Sequence, residues 1–455
     1  MNTSINQTNE EALMIQLIRY CKENKKQEFQ LMIEELHPYD IAKIYIDLPA
    51  KHHHKFLLLM ESKQIANLLQ ELDSPMQIDI VQKLGVELSS NIMNLMERDD
   101  LADFLNELSV DKIEELLFAM KKEESQHVQN LMQYPKETAG GLMTNQFIWI
   151  HSNFTVAEAV EKLRAFAQFA ENLYYLYVLD EHKKLAGVVS YRDLLLAGMD
   201  EKVENVMYRR VISVPADMDQ EEVARTIERY DFLSVPVVDA ELRLLGIITV
   251  DDIIDVVMQE ADEDIGRLSA TGKTIDFATG SWTSALRRLP WLILLLLLGL
   301  ISGSIISGFE NTLDQVVALA FFMPMIAGMT GNTGTQSLAI VVRGLAARDL
   351  DRRAIFRLIR RELGAGIIIG TVCAVLVSGL GFLWEGHAVL GLVVGCSLFM
   401  TLIIGTMAGT IIPLILYKMK IDPAIASGPL ITTLNDIFSL TIYFGIASFF
   451  ISHLL

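Results

Sequence analysis

The chain has 455 residues, is 51% hydrophobic and carries a net charge of -19, with a mean hydropathy of +0.33. Those values exclude both an ordinary soluble enzyme and a protein wholly embedded in lipid. Up to Ile275 there are 27 Lys and Arg against 48 Asp and Glu, while from Asp276 onward there are 11 against 9, so an acidic front, unsuited to nucleic acid, precedes a nearly neutral apolar half.

The N-terminus, MNTSINQTNEEALM, lacks a basic stretch followed by an apolar core. No signal peptide is expected, which places the front in the cytoplasm. Cys21, Cys373 and Cys396 are isolated from one another, which argues against a disulfide framework or a zinc site. In residues 1–136 the pair Glu-Leu recurs at Glu35, Glu71 and Glu107, each time followed by a polar turn and an amphipathic run. The middle copy predicts a helix with Ser74 as N-cap, Pro75 in the first turn and Gln77 completing a capping box. Helix pairs at this period predict an all-α superhelical N-domain. The run His52 to His54, between Lys51 and Lys55, reads as a solvated helix face in preference to a metal site.

Two segments then repeat without gaps, LYVLDEHKKLAGVVSYRDLL and VPVVDAELRLLGIITVDDII. Val178 matches Val237, Asp180 matches Asp239, Gly187 matches Gly246, Ser190 matches Thr249 and Asp193 matches Asp252. Each copy predicts strand, turn, strand and helix, preceded by the helical runs TVAEAVEKLRAFA and DQEEVARTIERY. With the endings GVVSYRD and GIITVDD, the segments resemble paired CBS domains, giving tandem α/β modules over 137–199 and 200–258. Such pairs often bind adenine nucleotides such as ATP, and others bind none. The matching positions here are Ser190, Asp193, Thr249 and Asp252.

The stretch TVDDIIDVVMQEADEDIGRLSATGKT leads to the apolar half through a connecting helix expected over 259–280. It sets Ile254, Val257, Ala261, Ile265 and Leu268 on one side, with Asp251, Asp252, Asp255, Glu260, Asp262, Glu263 and Asp264 elsewhere. This is either a solvated acidic helix or a face that divalent cations hold against a second subunit. GRLSATGKT is not a phosphate-binding loop, because Gly266 comes one residue too early.

Charge-free intervals predict five membrane spans in 281–455: Leu289 to Phe309, Gln315 to Val342, Leu363 to Trp384, Gly386 to Tyr417, and Pro423 to the C-terminus. Arginines and lysines cluster before the first span and in the second and fourth connections. By the positive-inside rule the front lies in the cytoplasm and the C-terminus outside. Within MTGNTGTQS, Gly331 and Gly334 are expected to break the second helix, exposing carbonyls that line a pore with Asn332 and Thr335; a small-residue packing face is the other reading. Asp436 is the one acid inside the spans, and such residues mark ion paths. One carboxylate among neutral oxygens suits hydrated Mg2+, and a two-fold axis would bring two Asp436 side chains together.

Across nearly its full length the chain resembles the MgtE family of magnesium channels. The resemblance is carried by YPKETAGGLMT, DQEEVARTIERYDF, TVDDIIDVV, GNTGTQS and DPAIASGPLITTLNDI. It implies a homodimer in the cell membrane and Mg2+ passage along the dimer axis. It also implies closure by intracellular Mg2+ bound between the cytoplasmic domains and the connecting helix, with no enzymatic activity. By position, Asp436 matches the pore aspartate, Asn332 the filter segment and Asp422 the regulatory aspartate at the cytoplasmic mouth. Glu221, Asp231, Asp252, Asp255, Glu260, Glu263 and Asp264 match the gating acids, and Asp99 and Asp100 are N-domain candidates. Thr330 and Thr335 depart from the glycine and asparagine of some relatives. A CBS-regulated carrier and a non-transporting sensor are the rival classes.

Overall fold

The computed structural model describes residues 3–167, 174–271, 275, 279–347 and 352–454. Two compact units result, Met1–Val257 and Met258–Leu455.

After a first helix, Thr3–Glu23, the helices of the N-terminal region come in threes. Lys26–Glu34, Pro38–Asp47 and Ala50–Leu59 are followed by Ser62–Gln70, Ser74–Leu84 and Val86–Met93, then by Arg98–Asn106 (α1), Val110–Ala119 and Lys122–Leu131. The repeat is therefore a helix triplet, not the expected pair. Only Leu48 and Pro49, or Gly85 alone, separate the second helix from the third, so the sequence offers no polar turn to mark the division. The recurrent Glu35, Glu71 and Glu107 are the C-cap residues of each first helix.

Asp73, one residue before the expected Ser74, caps the helix Ser74–Leu84 by accepting from the Met76 amide at 3.2 Å. Gln77 donates to the Leu69 carbonyl at 2.7 Å instead of closing a capping box. His53 is structural: its Nε2 meets the Leu48 carbonyl at 2.7 Å and its ring stacks on Tyr45 at 4.3 Å. Phe29, Tyr45 and Phe56 lie in one hydrophobic core that continues to Val223, Val235 and Ile248 of the second repeat module.

Each module has a three-stranded sheet. In the first, β1 (Trp149–His151) runs parallel to β2 (Tyr175–Leu179), which pairs antiparallel with β3 (Leu185–Ser190). In the second, β4 (Val214–Pro215), β5 (Ser234–Val238) and β6 (Leu244–Thr249) repeat that order. The matched residues have matched work. Asp180 Oδ1 accepts from the amides of His182 and Lys184, both at 2.8 Å, and Asp239 Oδ1 accepts from Glu241 and Arg243 at 3.0 and 2.8 Å. Each aspartate thereby closes the hairpin turn through its own backbone. Gly187 and Gly246 sit opposite Val178 and Val237, where a neighbouring segment crosses the strand. A Cβ on Gly246 would lie 2.6 Å from the Thr144 carbonyl oxygen, and one on Gly187 2.6 Å from Met207 Sδ.

The expected connecting helix is the end of a longer one, α2 (Val250–Leu268), which continues from β6. Residues 272–274 and 276–278 of the expected 259–280 segment lie outside the described residues.

The second unit holds five long helices: α3 (Ser281–Gly308), α4 (Ala318–Ala347), α5 (Arg352–Glu385), α6 (Ala388–Lys418) and α7 (Gly428–Phe449). Among the described residues, four of them, α3, α5, α6 and α7, are long and apolar enough to cross a membrane. At 30 residues α4 has the length, about 45 Å at 1.5 Å per residue, but the polar run from Thr330 to Ser337 interrupts its apolar stretch. The centre of the unit is α6, whose Val393, Val394, Leu398 and Leu402 are fully buried against Leu319 and Ile326 of α4 and Tyr443 and Phe444 of α7. By contrast, α3 has no buried residue.

Replacing Gly246 by Ala forces backbone to move away from Thr144 and should cost about 1–3 kcal/mol. Gly198→Ala, with nothing within 4 Å of the added carbon, should stay within about 0.5 kcal/mol of the parent. Urea unfolding of residues 1–257 measures both, and equal effects would refute the close-approach assignment.

Candidate ion path and cytoplasmic acidic sites

Ser427 starts α7, its Oγ accepting from the Leu430 amide at 3.4 Å, with Pro429 in the first turn. Two turns in, Asn435 and Asp436 follow each other and diverge. Asn435 is fully buried against α4, donating from Nδ2 to the Thr330 carbonyl at 3.4 Å, whereas Asp436 is half-buried. Among the described residues the Asp436 carboxylate has no hydrogen-bond or ion-pair partner.

The expected break at Gly331 and Gly334 is absent, since α4 is helical throughout 318–347. Its threonine hydroxyls at 330, 333 and 335 are satisfied by the helix itself. Thr330 donates to Ile326 O at 2.7 Å, Thr333 to Met329 O at 2.8 Å and Thr335 to Asn332 O at 2.9 Å. The glycines serve close packing: a Cβ on Gly331 would lie 2.8 Å from Thr432 Cγ2, and one on Gly334 would overlap the Asn435 amide. This is the small-residue packing face of membrane helices. Asn332 itself is exposed in the single chain.

Below this contact, Asp422 is engaged twice. Its Oδ1 accepts from the Ala424 amide at 2.8 Å and its Oδ2 from Arg267 of α2, which also pairs with Glu263 at 2.7 Å. Leu268 packs beside them against Leu338, Ala424, Ala426 and Ile431. A second carboxylate, Glu362, escaped sequence reasoning because it stands at the edge of an arginine-rich connection. It is 4% exposed on α5 and accepts from Ser337 Oγ at 3.1 Å and Arg361 Nη2 at 2.8 Å.

In the first unit, acids from α1 and the start of α2 come together. Asp100 accepts from Gln70 Nε2 at 2.7 Å. Burial pushes its carboxyl above the usual range, and the charges of Asp255, Asp251 and Glu71 add to this. Asp252 accepts from Thr249 Oγ1, and burial, with Asp251 and Asp100 nearby, pushes it up to about 7. Desolvated carboxylates that repel one another fit a divalent cation, which would neutralise them. Apart from Asp255, whose charge reaches Asp100, the other sequence candidates are dispersed. Glu221 pairs with Arg225 at 2.6 Å, Asp231 is an exposed left-handed C-cap at φ 53°, Asp255 is exposed, and Glu260 and Asp264 are half-buried on α2. Among the described residues no three His, Cys, Asp or Glu side chains form a ready metal cage.

The four positions matched to nucleotide binding serve locally as helix caps: Ser190 donates to Asp193 at 2.5 Å and accepts from its amide at 3.1 Å, and Thr249 donates to Asp252. A cavity of about 250 Å3 lies elsewhere in the module pair, lined by Tyr175, Tyr177, Tyr208, Arg210, Phe232 and Ser234. Tyr177 and Ser234 hydroxyls meet at 2.9 Å on its wall. Aromatic walls with one guanidinium suit a flat base bearing phosphate, a signal scattered from Tyr175 to Ser234 and so not legible as a motif.

Asp252 gives a pH prediction. Its folded pKa lies above the unfolded value, so the folded state holds the extra proton. The contribution to stability is present below about pH 4 and is lost as pH rises through about 7. In chelator, the melting temperature of residues 1–257 should fall between about pH 5 and about pH 8, and Asp252→Asn should flatten the slope. A parent with no slope over that range would contradict the burial of this carboxyl.

Comparison with known proteins matches residues 323–446 to the MgtE divalent cation transporter family, 36–137 to the MgtE intracellular N domain, and 139–200 and 203–259 to CBS domains. The chain is 54% identical to the magnesium transporter MgtE of Bacillus subtilis over 98% of both chains. To that of Thermus thermophilus it is 36% identical, over 96% of this chain and 98% of the relative. The soluble part of a magnesium transporter superposes with a TM-score of 0.53 at 35% identity, covering 55% of this chain and 99% of that structure. The cytosolic domain of the Mg2+ channel MgtE in complex with ATP gives 0.52 at 34%, covering 53% and 99%. Matches to all three kinds of domain, and to full-length relatives, have one explanation: the chain belongs to the MgtE family of magnesium transporters.

Proposed function

We propose that this chain lets Mg2+ flow down its electrochemical gradient across the cell membrane and that its cytoplasmic acids sense the same ion. The observation that carries the reading is Asp436, a half-buried carboxylate inside an apolar helix with no partner among the described residues. A carboxylate left so in a membrane helix needs water or a cation. Magnesium gives up its water reluctantly, so Asp436 would hold the hydrated ion through its water shell, with Asn332 as a neutral neighbour. Moving two charges through about 100 mV gains roughly 4.6 kcal/mol, so uptake requires no ATPase.

Several features support the wider assignment. The α4 helix counts as the fifth span, because its hydroxyls donate to its own carbonyls and its glycines pack into the bundle. The bare α3 leaves apolar surface for lipid and a second copy, and a homodimer would set two Asp436 side chains on one axis. Arginines at 352, 353, 357, 360 and 361 mark the cytoplasmic side of that connection, which puts the N-terminal and CBS domains inside and the C-terminus outside. Regulatory Mg2+ is assigned to Asp252, Asp255, Glu260, Glu263, Asp264 and Asp422, with Glu221, Asp231 and Asp100 as further ligands. ATP is assigned to the aromatic cavity, its phosphates toward Arg210.

In Mg2+-starved cells or proteoliposomes, Asp436→Ala should lower Mg2+ uptake on the order of tenfold or more. Joint neutralisation of Asp255, Glu260 and Glu263 should leave uptake intact but insensitive to internal Mg2+. Normal flux through Asp436→Ala would move the path elsewhere and favour a carrier or a sensor.

A further inference from the structure

Asn435 is a fully buried amide in a membrane helix, and hydrogen bonding does not account for it. Its Nδ2 makes one long bond, 3.4 Å to the Thr330 carbonyl, and its Oδ1 has no partner. The opposite amide orientation would set two oxygens at that distance, so it is no remedy. The hydroxyls of the surrounding helices are committed to their own backbones: Thr330 to Ile326, Thr406 to Leu402 and Thr410 to Thr406. A half-satisfied buried amide is a standing cost that an apolar side chain would not carry.

Shape accounts for it better. Gly334 of α4 lies against the amide, and a Cβ there would overlap Asn435 Nδ2 while standing 3.1 Å from Ile431 Cγ2 and 3.2 Å from the Gly405 carbonyl. On α6, Gly405 gives the same clearance to Thr330, whose Cγ2 would be 2.7 Å from an added carbon, and Gly409 packs on the Gly334 backbone. The α6 glycines thus let α4 approach closely, and Gly334 of α4 leaves a notch in which α7 seats one flat side chain. The next residue on α7 is Asp436, about 100° further round the axis.

We propose that Asn435 is a positioning residue for Asp436. Seated against Gly334 and bonded to the Thr330 carbonyl, it fixes the rotation of α7, and that rotation sets where the carboxylate points and how well it distinguishes hydrated Mg2+ from larger divalent ions. The inference rests on Asp436 being the residue that meets the ion.

The test uses the full-length protein in proteoliposomes, reading Mg2+ flux against concentration and the Mg2+/Ca2+ flux ratio. Gly334→Ala should lower flux about tenfold or more, as a misplaced reacting group does. Adding Asn435→Ala to it should recover most of that loss by emptying the notch. Asn435→Ala and Asn435→Ser alone should raise the KM and lower the Mg2+/Ca2+ ratio severalfold while the detergent-purified protein keeps its melting temperature and size. Unchanged KM and ratio in both Asn435 variants would overturn the proposal, as would a double variant no better than Gly334→Ala. Asp436→Asn, measured in parallel, separates the two readings. If it alone abolishes flux, only the positioning role falls; if it too is normal, the pathway assignment falls first. Should Gly334→Ala fail to insert, the KM and ratio of the Asn435 variants decide alone.

Discussion

A carboxylate inside an apolar helix has to be given water, a proton or a partner, and the packing of α4, α6 and α7 is organised around that requirement. Every threonine hydroxyl near Asp436 returns to its own helix backbone, leaving no donor directed at the carboxylate. The helices then close on each other largely through glycine backbone, with Asn435 and Tyr443 of α7 donating to carbonyls of α4. Glu362 shows the contrast. It too is a carboxylate of this unit, but it is buried with a serine and a guanidinium on its oxygens, as a structural anchor should be. Of these two acids in one helical bundle, one is held by protein and the other is left for something that is not protein.

The same arithmetic of charge governs the front. Asp100 stands on α1 and Asp251, Asp252 and Asp255 on the first turns of α2, far away in sequence, and folding brings their charges within reach of one another. Gln70 and Thr249 supply hydrogen bonds, yet neither brings a positive charge. Burial and the neighbouring charges push the carboxyls of Asp100 and Asp252 in one direction, toward keeping a proton. A divalent ion would relieve the cluster more completely, because one ion offsets two carboxylates. A domain assembled this way would gain stability with the logarithm of the concentration of any cation it bound.

Features written as local spacing were legible in the sequence. Four of the five expected apolar spans and the ungapped repeat of Asp180 and Asp239 were readable because each acts within its own segment. Features that depend on a neighbour were not. Gly331 and Gly334 looked like helix breakers, since nothing in the sequence says that Thr432 and Asn435 will press against them. The third helix of each N-domain triplet was hidden by a link of one or two residues. Ser190 and Thr249 bore the signature of nucleotide contacts, yet their hydroxyls cap helices, while the cavity walls come from aromatic residues with no common spacing. Arg267 drew no notice among seven acids.

That arginine changes how ion binding at Asp422 has to be understood. Asp422 Oδ2 is already held by Arg267, which Glu263 shares, while Oδ1 is committed to the backbone at Ala424. A Mg2+ ion held there, as proposed above, would not add to an empty carboxylate; it would exchange for a guanidinium. The gain is therefore the difference between two attractions, reduced further by screening in water. Such an exchange site would respond at higher ion concentration than a bare pair of acids. The end of α2 is tied to the Asp422 turn by charge, so ion and arginine would compete for one contact instead of acting in sequence.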